Sequence, residues 1–163
     1  MKRWLCAILL CMVAVTCLAA CEEPSESAKA YQFTKNSVSM TVDADVAPTL
    51  AALGAWMDYD ETASCFFAGK DKIYTYAGFE LYTYPDGGVD RIYRIRLYDD
   101  TVATEEGVRI GDARENVLAA YGEASESFSD SLLYRGDRVY LEFFLENGVV
   151  VEIQYQNELV RNQ

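Results

Sequence analysis

The feature that most limits what this chain can fold into is a weak internal repeat. The segment from Val42 to Gly54 aligns with the segment from Ile110 to Gly122 at an offset of 68 residues, so that Leu50-Ala51-Ala52-Leu53-Gly54 stands over Leu118-Ala119-Ala120-Tyr121-Gly122. Self-similarity at a fixed offset is the mark of a repeated supersecondary unit. In each copy an apolar residue leads into an acidic segment that can cap a helix, and a short helix then stops at glycine. In the second copy Asp112 is placed to cap the free amides and Glu115, three residues on, to complete a capping box. Val117, Leu118 and Tyr121 fall on one helical face, and Gly122 suits the left-handed position after the last turn. In the first copy Pro48 fits the first helical turn, where its missing N–H costs nothing.

Strand patterns follow each helix. After the second they run over Ser131–Tyr134, Arg138–Leu145 and Gly148–Tyr155, with turns at Arg135-Gly136-Asp137 and Glu146-Asn147-Gly148. Asn-Gly between alternating runs is a strong hairpin signal, and turns collect Gly and Asp for backbone reasons, which favours a turn over an adhesion tripeptide at Arg135-Gly136-Asp137. Val149, Val151, Ile153 and Tyr155 alternate with Val150, Glu152, Gln154 and Gln156, as in a strand with one buried face. After the first helix the expected strands are Ser64–Phe67, Lys72–Tyr76, Phe79–Tyr84 and Arg91–Tyr98, with the main turn at Pro85-Asp86-Gly87-Gly88, and a further strand over Gln32–Thr41 precedes that helix. The expected fold is α+β: two tandem helix-plus-antiparallel-meander repeats, residues 32–100 and 101–163.

The chain opens with Met1-Lys2-Arg3-Trp4 and then an uncharged run from Leu5 to Ala20. A basic start and a short apolar stretch form the layout of a secretory signal peptide. Sixteen residues fall short of the roughly 20 that span a bilayer. Leu18-Ala19-Ala20-Cys21 matches a lipobox, and on these residues the chain resembles bacterial lipoproteins. The resemblance implies cleavage after residue 20, a diacylglycerol on the Cys21 thiol, and an extracytoplasmic position on the cell membrane, or on the outer membrane of a two-membrane cell. Glu22, where Asp would stand for retention, does not favour the inner membrane of such a cell. An ordinary signal peptide or an uncleaved anchor is the alternative. Residues 21–31, acidic and poor in large apolar groups, read as the lipidated cysteine and a flexible tether.

A second resemblance rests on Gly107–Gly122, with its Ile110-Gly111-Asp112 helix start, Val117 and helix-ending Gly122, and on Asn147-Gly148-Val149-Val150-Val151-Glu152-Ile153. These look like the helix and last strand of the β-lactamase-inhibitor-protein-like group, which is similar in turn to the BamE/SmpA-type lipoproteins. Ala63-Ser64-Cys65-Phe66 and Tyr74–Leu81 also resemble lipoproteins of Gram-positive anaerobes. The shared implication is a non-catalytic domain that holds another protein. The inhibitors' disulfides are absent, so inhibition of a β-lactamase is not implied.

Composition sharpens the partner question. Of 163 residues, 26 are acidic and 14 basic, and loss of Lys2 and Arg3 with the leader takes the formal charge from −12 to −14. Such a surface repels nucleic acid and anionic lipid, so membrane contact must come through the lipid. Cys6, Cys11 and Cys17 leave with the leader and Cys21 is acylated, so Cys65 is left without a disulfide partner. There is no histidine, which removes Ser-His-Asp and Cys-His catalysis and the usual zinc sites. No cofactor motif or metal site is expected. Cys65 reads as a buried small apolar residue rather than a reactive thiol. The clusters Asp58-Tyr59-Asp60-Glu61, Asp99-Asp100 and Glu105-Glu106 read as solvated loops rather than as a calcium or glycosidase site.

The candidate partner-binding residues are Tyr82, Tyr84, Arg94, Arg96 and Tyr98. On Phe79–Tyr84, alternation sends Phe79, Leu81 and Thr83 inward and Glu80, Tyr82 and Tyr84 outward. On Arg91–Tyr98 it sends Tyr93, Ile95 and Leu97 inward and Arg94, Arg96 and Tyr98 outward. A Tyr/Arg sheet face has the composition of a protein interface; cross-strand pairing that merely covers a sheet is the competing reading. The function this favours is a membrane-anchored, non-catalytic interaction module with an envelope protein as partner. The alternatives are a binder of a small molecule, peptide or glycan, marked by a concave pocket, and a small carboxylate- or Cys-dependent enzyme.

Overall fold

The structure, a computed structural model, describes residues 29–65 and 67–158. The expected leader, the expected lipidation site at Cys21 and the expected tether up to Ala28 lie outside the described residues. The elements run β1 (Phe33–Lys35), β2 (Val38–Met40), α1 (Val46–Leu53), β3 (Asp58–Ala63), β4 (Lys70–Tyr76), β5 (Phe79–Asp86), β6 (Val89–Leu97), α2 (Arg114–Tyr121), β7 (Glu126–Ser127), β8 (Ser131–Arg135), β9 (Val139–Glu146) and β10 (Val149–Asn157). Strands β3 to β10 form one eight-stranded sheet in the order β3-β4-β5-β6-β10-β9-β8-β7, every pair antiparallel.

This corrects the expected α+β pair of helix-plus-meander repeats. Among the described residues the fold is mostly β, 48% strand against 13% helix. Each helix has only eight residues, about two turns, too little to roof a four-stranded sheet. The strands instead bury their apolar face in one shared core. Phe33, Leu81, Ile95 and Val46 belong to the same buried cluster as Val117, Leu141, Phe143, Ile153 and Tyr155.

The local signals fared unevenly, for identifiable reasons. Both helices stop as glycine dictates: Gly54 (φ 80°) and Gly122 (φ 79°) donate their N–H groups to Leu50 O and Leu118 O. Asp45 caps α1, its carboxylate accepting from Ala47 N at 2.9 Å. The capping box expected at α2 does not form. Ala113 is the N-cap, without a side-chain bond, because Asp112 turns back to accept from Arg109 N at 2.7 Å. Of the expected apolar face only Val117 is fully buried, and Leu118 is exposed.

The expected strand over Gln32–Thr41 is folded into the β1–β2 hairpin, because Asn36 and Ser37 both take positive φ in a two-residue turn. No strand begins at Ser64. The strand is β3, whose acidic residues read as a loop but lie along the sheet edge, exposed throughout. Pro85 and Asp86 extend β5, leaving Gly87-Gly88 as the turn. On β10 a bulge between Val150 and Glu152 breaks the simple alternation. Val150, Ile153 and Tyr155 are buried, while Val149 and Val151 are exposed. Cys65 is exposed rather than buried, since the strand that would have carried it inward does not exist.

The described chain starts by docking on the β8–β9 turn. Lys29 O accepts from Asp137 N at 3.1 Å, and Lys29 Nζ pairs with Glu106 at 2.8 Å over the ring of Tyr121. Gly136 permits this approach: a Cβ there would stand 2.3 Å from Lys29 O and 2.8 Å from Tyr31 and Val139. The obstacle is backbone, which cannot rotate away as a side-chain end can. Gly136→Ala is expected to cost about 2 kcal/mol, in the range of steric overpacking. Urea unfolding checks this, and a midpoint equal to that of the unsubstituted protein would show that the turn is not so tightly held.

Candidate functional site

Antiparallel register decides which side chains share the helix-free face of the sheet. Leu81 pairs with Ile95 and Phe79 with Leu97 on the core side, so the intervening pairs Tyr82↔Arg94 and Glu80↔Arg96 stand on the opposite side. The phase changes beyond Arg94. Tyr82 pairs with Arg94 but Thr83 pairs with Ile92, which leaves Tyr93 as an extra residue on β6. Such a bulge re-aims the side chains around it. Ile92 enters the core, and Tyr93, expected there, is only partly buried and meets Tyr82 edge-on at 5.9 Å between ring centroids.

The result is a compact Tyr/Arg stack. The Arg94 guanidinium carbon lies 5.3 Å from the Tyr82 ring centroid and 5.6 Å from that of Tyr93, within the range of cation–π attraction. Arg94 Nε is buried without a hydrogen-bond partner among the described residues. Arg96 is committed differently, to Glu80 at 3.1 Å and Glu152 at 2.7 Å. The Tyr82 hydroxyl donates to Glu80 at 2.6 Å. Burial first, and then this bond to a carboxylate, push the Tyr82 phenol up to about 12.

The five candidate residues therefore separate. Tyr82, Arg94 and Arg96 come together on one face. Tyr84 is buried with its hydroxyl 3.4 Å from Asp43 Oδ1, against Phe67 at 4.7 Å between rings, and it lines a cavity of about 420 Å³. Tyr98 folds back on the β4–β5 turn, donating to Tyr76 O at 2.6 Å and accepting from Gly78 N at 3.3 Å. Its hydroxyl fastens a turn. Sequence reasoning missed Tyr93, because nothing in the strand pattern announces a bulge. It also missed Glu80 and Glu152 as the partners of Arg96, although alternation alone puts Glu80 on the outer face.

A second aromatic group went unread. Trp56 and Tyr59 are exposed and pack with Tyr74 at ring separations of 5.3 Å (Trp56–Tyr74) and 5.2 Å (Tyr59–Tyr74), beside Met57, 71% exposed. They gather at the start of β3, the long edge of the sheet, with Tyr59 in that strand, Tyr74 opposite it on β4 and Trp56 and Met57 just before it. That edge is guarded: the N–H groups of Tyr59 and Glu61 donate to the carboxylates of Asp58 and Asp60, each at 2.9 Å, and Lys70 pairs with Glu61. Charged side chains over edge amides discourage strand addition. The opposite edge, β7, is only two residues long. Among the described residues no group of three or more Asp, Glu or Cys is placed to hold a metal ion.

Several tyrosines tie stability to pH. Tyr82 and Tyr134 are pushed up to about 12, both first by burial, and Tyr59 to about 12 by its bond to Glu61. The folded state thus holds these protons more tightly than the unfolded chain, whose phenols titrate near 10. Their contribution is complete below about pH 10 and is lost as pH rises toward about 12. The melting temperature is expected to fall steeply over that interval, and less steeply in Tyr82→Phe. A melting temperature flat from pH 10 to 12 would contradict this reading.

Compared with protein families, with characterised proteins and with solved structures, the chain shows no significant match in any of the three.

Proposed function

We propose that this protein is an extracytoplasmic lipoprotein, held on its membrane by lipid on Cys21, and that its domain is a non-catalytic interaction module for another protein of the cell envelope. The observation that carries the interaction reading is the Tyr82–Tyr93–Arg94 stack on the helix-free face. Tyrosine and arginine concentrate binding energy at interfaces because they offer large rigid area with a polar tip. Arg96, neutralised by Glu80 and Glu152, fits the rim of such a patch better than its centre. The Gly107–Gly122 and Asn147–Ile153 motifs, which resemble those of a protein-holding group, support the same reading. The anchoring half rests on the lipobox and on the acidic balance, which leaves acyl chains as the means of holding a membrane.

Each half has its own test. Cys21→Ala is expected to abolish metabolic labelling with palmitate and to move the protein from the detergent phase to the aqueous phase on phase separation. Labelling that survives the substitution would refute the anchor. Tyr82→Ala/Arg94→Ala, made in the full-length chain and shown by circular dichroism to keep its sheet, is expected to lose cross-links to an envelope protein that the unsubstituted chain makes. An identical set of cross-links from both would remove the face from the interface.

A further inference from the structure

The cavity beside Tyr84 has a chemistry of its own. It is lined by Asp43, Phe67, Tyr84, Asp86, Arg91 and Arg138 and encloses about 420 Å³, within the range of small-molecule sites. One wall is aromatic, Phe67 against Tyr84 at 4.7 Å and 34°. The rest is two acids and two bases that alternate. Arg91 Nε holds Asp86 Oδ2 at 2.6 Å and its Nη1 donates to Asp43 O at 2.9 Å, leaving Nη2 uncommitted among the described residues. Arg138 Nη2 reaches Asp43 Oδ2 at 3.3 Å. Asp43 Oδ1 accepts from Asn157 Nδ2 at 2.7 Å and from Tyr84, so that oxygen is fully engaged within the protein. The Asp86 carboxylate is half exposed, and the Arg138 side chain is 72% exposed.

A second observation points to the same place. Among the described residues, five that are not glycine have positive φ. Asn36, Ser37 and Asn147 sit in two-residue hairpin turns that call for it. The other two, Asp43 (φ 63°) and Arg138 (φ 59°), meet each other in this cavity. Arg138 ends the β8–β9 turn at a position where glycine would be unstrained. An arginine held there at a conformational cost of about 1 kcal/mol is poorly explained by its long, exposed contact with Asp43, since exposed ion pairs contribute little.

We propose that this cavity binds a free α-amino acid with an apolar side chain. Its four charges sum to zero, which suits a zwitterion better than a simple anion or cation in a chain this acidic. The ligand carboxylate is received by Arg138 and Arg91 Nη2, the ammonium by Asp86, and the side chain lies against Phe67 and Tyr84. The site adjoins the Tyr82–Tyr93–Arg94 stack, Tyr84 and Tyr93 standing 6.4 Å apart between ring centroids, but its charged groups are different ones and it does not depend on that face having a partner.

Calorimetric titration of the full-length protein with L-phenylalanine and L-leucine tests this, with phenylacetate, which lacks the ammonium, and phenethylamine, which lacks the carboxylate, as controls. Saturable binding of both amino acids and clearly weaker binding of both controls is expected. Arg138→Gly is expected to weaken L-phenylalanine binding roughly tenfold, the effect of one lost charge-assisted bond, while leaving the melting temperature unchanged or raised because glycine relieves the left-handed backbone. Absence of saturable heat with either amino acid, controls that bind as well as the amino acids, or unchanged affinity in Arg138→Gly would each overturn the proposal.

Discussion

The pairing of β6 with β10 is the contact on which the rest of the structure depends. Four residue pairs make it, Ile153↔Leu97, Gln154↔Arg96, Tyr155↔Ile95 and Gln156↔Arg94. On the core side it brings together Ile95, Leu97, Ile153 and Tyr155, all at most 1% exposed. Without it the chain would carry two further sheet edges, each with open amides beside apolar side chains. The same register sets the other face, where it lays Arg96 between Glu80 of β5 and Glu152 of β10. Past the end of β10, β6 continues and exchanges backbone bonds with the loop before α1, Asp43 N to Ile92 O at 2.7 Å and Ile92 N to Ala44 O at 3.0 Å. Asp43 is thereby carried to the amino-acid-sized cavity. One strand pairing thus positions the core, the Tyr/Arg face and the cavity.

The sequence made the local parts of this legible and the joining of them illegible. Glycine at Gly54 and Gly122, the Asn147-Gly148 turn and the alternation of β5 from Phe79 to Thr83 are short-range effects, written in neighbouring residues. The β6–β10 pairing links positions more than fifty residues apart, and no local pattern distinguishes it from two separate units. The bulges at Tyr93 and after Val150 shift the phase of strands whose composition is otherwise regular. Acidic β3 looked like a loop because a sheet edge and a loop are both solvated. Among the candidate site residues, Tyr82, Arg94 and Arg96 follow from alternation alone. Tyr84 and Tyr98 alternate outward in the same way, but tertiary partners, Asp43 for one and the β4–β5 turn for the other, capture their hydroxyls. The cavity could not be anticipated, since it assembles side chains from five separate segments.

The two functional surfaces proposed here differ in physical character. The Tyr82–Tyr93–Arg94 face is aromatic, and its arginines Arg94 and Arg96 are matched by Glu80 and Glu152, which sets it apart from the strongly acidic balance of the whole chain. The cavity is charge-balanced and concave, with an aromatic wall. Meanwhile the long sheet edge is closed by its own carboxylates at Asp58 and Asp60, so strand addition is the recognition mode least suited to this fold.

Native-state hydrogen exchange tests the central claim, that one strand pairing makes the sheet a single cooperative unit. The account predicts that the slowest amides of β4, β5 and β6 and those of β8, β9 and β10 exchange with the same opening free energy, equal to that of global unfolding. If one group opened at a free energy lower than the other by about 2 kcal/mol or more, the two strand runs would be independent units and the pairing of β6 with β10 would not be the contact that holds the fold together.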